Sequence, residues 1–145
     1  MEVKTLKDAI KLYDDLFRRG QEIIEKYSPC KIEIGKDGLA SCAAVRGEIG
    51  HSESFYRNIK DGSLCCGGCR YLTSKGCRAH CLACKLHLCN CFSDDHPVKE
   101  KLYELRLIAW RHIDFMYSIR KSRKFNIEQA RQVLKTRREY GRSYI

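Results

Sequence analysis

Residues 65–91 read CCGGCRYLTSKGCRAHCLACKLHLCNC and carry eight thiols, at positions 65, 66, 69, 77, 81, 84, 89 and 91. Chance does not produce that density, so the fold has to be built around what these thiols do. Cys66-Gly67-Gly68-Cys69 has the two-residue spacing that lets a tight knuckle aim both sulfurs at one ion. Its glycines permit the positive φ angles and close amide approach such a turn needs. Arg70-Tyr71-Leu72 followed by Thr73-Ser74-Lys75-Gly76 reads as a strand and turn that brings Cys77 back beside the knuckle. Cys81-Leu82-Ala83-Cys84 lacks turn formers and lies in a helix-favouring run to Leu88, with Cys77, Cys81, Cys84 and Leu88 on one face. A short helix there would present Cys84, and Cys89 at its end, to the same ion.

The chain is expected to be cytoplasmic. No stretch approaches the ~20 apolar residues of a membrane span, and the start MEVKTLKDAIKLY mixes charge with apolar residues at helical spacing, unlike a signal peptide. In a reducing compartment ten cysteines are better explained by metal ligation than by disulfides. Zinc is the preferred ion, because four thiolates close a tetrahedral shell around a borderline-soft cation that needs no redox partner. The supply of thiols allows one or two ions. Iron–sulfur ligation is the chemical rival, although the ferredoxin spacing with its closing Cys-Pro is absent. A dithiol redox pair at Cys66 and Cys69 is the third reading, disfavoured by the adjacent glycines and neighbouring thiols. His80, His87 and His96 read as surface or packing residues, and Cys30 and Cys42 either as a second site with Cys89 or Cys91 or as small apolar side chains.

Outward from the cysteines the pattern is helical. Thr5 with Asp8 resembles a capping box, and Leu6, Ile10, Tyr13, Phe17, Ile24 and Tyr27 recur at helical spacing until Ser28-Pro29, predicting a helix over roughly 6–27. Lys31 to Ile34, the turn Gly35-Lys36-Asp37-Gly38 and Leu39 to Val45 predict a β-hairpin. Val98, Leu102, Leu105, Ala109, His112, Met116 and Ile119 trace one face of a helix from about 96 to 121, opened by Asp94, Asp95 and Pro97. Asn126 with Gln129 is expected to cap a last helix carrying Ile127, Ala130, Val133, Leu134 and Tyr140. The fold class is therefore mainly α, with a small β-hairpin and a cysteine-rich zinc knuckle inserted between N-terminal and C-terminal helices. At 145 residues this is one domain: helix and hairpin in 1–64, metal module in 65–92, basic helices in 93–145.

No nucleophile with a base, paired carboxylates, phosphate loop or two-metal acidic site appears, so the chain reads as non-catalytic. Asp94-Asp95-His96 sits where a helix begins, a position that favours acids in any case. The net charge of +10 is concentrated: residues 97–145 hold 13 basic and 5 acidic side chains, whereas residues 1–64 hold 11 of each. Arg120, Lys121, Arg123, Lys124, Arg131, Lys135, Arg137 and Arg138, with Phe125, Tyr140 and Tyr144 among them, form a candidate face for nucleic acid or for an acidic protein surface.

Cys65-Cys66, Cys69, Leu72, Gly76-Cys77, Leu82-Ala83-Cys84-Lys85-Leu86 and Cys89 together resemble the bacterial "cysteine cluster" proteins and short proteins of Gram-positive phages and mobile elements. The resemblance spans residues 65–89, about a sixth of the chain. It implies Cys65, Cys66, Cys69, Cys77, Cys84 and Cys89 as the metal set, with Cys81 and Cys91 outside it. Small mobile-element proteins of this kind include the anti-CRISPR proteins, which bind and block host defence nucleases. The resemblance thus implies a phage inhibitor acting by protein–protein interaction on a host complex or ribonucleoprotein. The alternatives are a zinc-dependent nucleic-acid-binding regulator and an iron–sulfur redox protein.

Overall fold

Thr5 starts the first helix by a reciprocal cap. Its Oγ1 accepts the Asp8 N–H at 3.1 Å, and Asp8 Oδ2 accepts the Thr5 N–H at 3.2 Å, which satisfies donors that the first helical turn leaves without partners. The computed structural model describes residues 2–27, 33–34, 36, 40–41, 72–73, 76–77, 81–87, 96–118 and 121–143. Helix α1 spans Leu6–Tyr27, the bounds expected from the sequence. Its most buried face is Ala9, Leu12, Tyr13, Leu16 and Gly20, while Leu6, Ile10, Phe17 and Ile24 flank that face half-buried and Tyr27 is exposed. The stripe is rotated from the expected one because α1 packs against three helices at once.

Those neighbours are α2 (Leu82–Lys85), α3 (Pro97–Ile113) and α4 (Arg123–Ser143). Leu12 and Leu16 of α1, Leu82 of α2 with Leu86 just beyond it, and Val98, Leu102, Leu105, Ala109 and Ile113 of α3 form one core, joined by Met116 and by Ala130 of α4. Gly20 is the point of closest approach. A Cβ there would lie 2.6 Å from Leu86 Cδ2 and 3.3 Å from Lys85 Cγ, so the bare backbone lets the short helix seat against α1.

Two boundaries differ from expectation. Helix α3 ends at Ile113 and the chain tightens into a 3-10 turn over Asp114–Met116, where the Asp114 side chain accepts the Phe115 N–H at 2.9 Å. An acid is unfavourable at a helix C-terminus, yet the apolar period runs through the break because Met116 is still buried. Helix α4 starts at Arg123 with Ser122 as its cap, whose Oγ accepts the Phe125 N–H at 3.1 Å. Asn126 is not the cap; it lies buried in the first turn of α4. At the start of α3, His96 Nδ1 accepts the Val98 N–H at 3.2 Å ahead of Pro97. Asp94 and Asp95 lie outside the described residues.

The described backbone also contains two short antiparallel pairs. Strand β1 (Glu33–Ile34) pairs with β2 (Ala40–Ser41), Glu33 opposite Ser41, and β3 (Leu72–Thr73) pairs with β4 (Gly76–Cys77), Leu72 opposite Cys77. Apart from Lys36, the turn and outer arms of the expected hairpin, with Cys30 and Cys42, lie outside the described residues. The described part is mostly helical, and no described helix is long and apolar enough to cross a membrane.

Candidate metal centre

Cys81 adopts an extended backbone (φ −108°, ψ 142°) and caps α2, its Sγ accepting the Cys84 N–H at 3.4 Å. A sulfur that accepts an amide hydrogen from three residues on caps the short helix, and the Cys-x-x-Cys spacing puts the second cysteine in its first turn. Cys81 is 3 % exposed, whereas Cys84 is only partly buried. The segment is fixed from below. Leu82 and Leu86 are fully buried, and the Leu82 N–H donates to the Tyr13 hydroxyl at 2.9 Å. That hydroxyl also accepts from Asn126 Nδ2 at 3.2 Å, so one oxygen ties α1, α2 and α4 together beneath the cysteine pair.

Charge around the pair is also set by the fold. Lys85, 2 % exposed, donates from Nζ to Gln21 Oε1 and sits 5.0 Å from the centre of the Phe17 ring. Burial first, with Cys81 and Cys84 adding to it against the pull of Arg106, pushes the Tyr117 hydroxyl up to about 12. His87 presents surface to solvent, but its imidazole is partly desolvated, and that, followed by the positive charges of Arg106 and Lys99, holds its pKa below the usual value. A neutral imidazole is the form that binds metal.

Of the expected metal set, Cys77 is placed in β4, paired with Leu72, and Cys84 in α2. Cys65, Cys66, Cys69 and Cys89 lie outside the described residues. Among the described residues no three His, Cys, Asp or Glu side chains converge on one point. Cys81, left outside the set by the resemblance, is the better-buried member of the pair. Its Cys-x-x-Cys spacing was the available signal.

The expected basic face is partly engaged. Arg123 makes a bidentate pair with Asp14, both bonds 2.8 Å. Arg131 pairs with Glu128 at 2.7 Å, Arg137 lies over the Phe115 ring at 4.9 Å, and Lys121 over the Phe125 ring at 5.0 Å. Lys124, Lys135 and Arg138 are exposed. Arg120 lies outside the described residues. The sequence reading missed the aromatic residues Tyr103 and Trp110 of α3, both exposed; they fall between the core positions of the helix, where no local pattern marks them. No family model, no curated protein and no solved structure matches the chain.

Proposed function

We propose that this chain is a non-catalytic binding protein whose cysteine-rich segment is stapled by zinc. The observation that supports it most is the Cys81-x-x-Cys84 pair, with its amide-to-sulfur capping bond, seated on a buried leucine pair inside the helical core. Cys81 therefore joins Cys65, Cys66, Cys69, Cys77, Cys84 and Cys89 as a candidate ligand. A four-thiolate zinc centre carries net negative charge, and Lys85, buried on the same short helix, supplies an opposite one. The hairpin and knuckle would then sit as an insertion between the N-terminal and C-terminal helices.

The partner in this reading is a cytoplasmic host protein complex or ribonucleoprotein, blocked by occupancy rather than by chemistry. The excess of cations in residues 97–145 supports an anionic surface on that partner. Elemental analysis of anaerobically purified protein tests the metal. One or two zinc ions and no visible colour are expected; iron with charge-transfer bands would overturn zinc in favour of a redox centre. Cleavage by a purified RNA-guided nuclease, assayed with stoichiometric chain, tests the inhibitor reading, and undiminished cleavage counts against it.

A further inference from the structure

Tyr103, Trp110 and Tyr117 lie seven residues apart along α3 and the turn after it, and their rings meet edge to face, centroids 6.3 Å apart for the first pair and 6.1 Å for the second. Arg106 runs between the first two, its guanidinium carbon 5.3 Å from the centre of Tyr103 and 5.7 Å from that of Trp110. Its Nε is buried without a hydrogen-bond partner. Glu100 and Asp114 flank the stripe, and among the described residues no carboxylate pairs with Arg106. Tyr103, Leu107 and Trp110 nevertheless remain 45 %, 41 % and 44 % exposed. Single exposed rings are ordinary. A ladder of rings clamping a guanidinium that no described carboxylate pairs, on the outer face of a helix, is not.

We propose that this stripe is a stacking platform for single-stranded nucleic acid, with bases lying against Trp110 and Tyr103 and a phosphate on Arg106. Aromatic faces accept any base, a contact worth about 1–3 kcal/mol per base. A guanidinium already held in place by two rings loses little freedom when it takes phosphate oxygens. The net charge of +10 favours a polyanion over a neutral partner. Duplex nucleic acid hides its base faces, and an acidic peptide would satisfy Arg106 but leave the rings without a planar partner. The inference rests on the reading of this chain as a binding protein, and no metal ligand takes part in the contact.

Trp110 is the only tryptophan, so its emission reads the site directly. Titrating the full-length protein with oligothymidylate is expected to quench that emission, more strongly than a duplex does, with affinity falling as salt rises. By anisotropy of a labelled oligonucleotide, Trp110→Ala and Tyr103→Ala should each weaken binding roughly five- to 150-fold. Arg106→Gln, which leaves both rings in place, should weaken binding and flatten its salt dependence, and keeps the test decisive if a ring truncation unsettles the helix. Three outcomes overturn the proposal: no quenching at low salt, ring variants that bind like the parent, or displacement of the oligonucleotide by polyglutamate with equal affinity, which would assign the stripe to an acidic protein. A chain that carries no zinc as purified yet binds the oligonucleotide sinks the zinc reading alone, and a zinc-loaded chain that does not bind sinks this one alone.

Discussion

Tyr13 accepts hydrogen bonds from a backbone amide of α2 and a side-chain amide of α4 while its ring fills the core of α1. Removing the hydroxyl leaves both donors buried and unpaired, and an unsatisfied buried donor costs about 1–3 kcal/mol. Tyr13→Phe is therefore expected to lower the unfolding free energy by that amount, read as a lower urea midpoint with an unchanged m-value. A midpoint within error of the parent would show that the hydroxyl is dispensable. The same atom explains why Asn126 was misread. Near a helix start, asparagine resembles a cap, and nothing local reveals that its amide is taken by a tyrosine 113 positions away. Ser122, the actual cap, was hidden within a run of Arg and Lys that reads as a corner.

At the level of elements, the first helix was legible because its signals are short-range. The Thr5–Asp8 box fixes the start and Ser28-Pro29 follows its end. A hydrogen bond with the Thr5 side chain, then bonds from the Lys4 and Thr5 amides, hold the Asp8 carboxyl below the usual carboxylate value of 3.8. A carboxylate depressed in the folded state stabilises it above the unfolded pKa, and that contribution is lost as pH falls through the lowered folded value. The Thr5 amide proton shift should accordingly titrate with a midpoint below 3.8, and Asp8→Asn should abolish the titration. A midpoint at or above the ordinary value would mean the box is open in solution. The end of α3 was not legible, since Met116 keeps the apolar rhythm after the hydrogen bonding has changed. Nor was the approach of α2 to Gly20, which is a tertiary contact. Gly20→Val must displace the buried Leu86 tip, and overpacking of this kind costs typically 1–3 kcal/mol; thermal melting of the variant checks it.

Across the described molecule, residues 82 and 86 of the cysteine segment share one interior with the long helices. Leu82 and Leu86 are as deeply buried as Leu16 of α1 or Val98 of α3. Structural zinc binding is worth on the order of 10 to 16 kcal/mol, similar to or larger than the total stability of a typical domain. Chelation should therefore melt more than the thiol loops: helical ellipticity is expected to fall and the melting temperature to drop, both recovering on zinc addition. Unchanged ellipticity and melting in the metal-free protein would sink the zinc proposal. The centre of this site, Cys65 to Cys69, is read from spacing alone and lies beyond the described residues, whereas Cys81, marked by its spacing to Cys84, also has a sulfur that accepts an amide hydrogen.

The seating of those two leucines also bears on how such a protein can be rearranged. A finger that folds on its own metal can be copied, shuffled between genes or cut out as a peptide. This one cannot: excised, Leu82 and Leu86 would face water, and the three long helices left behind would enclose a hollow where those side chains had been. Inheritance and engineering alike must treat the stretch from Cys81 to Leu86 and the long helices as a single unit.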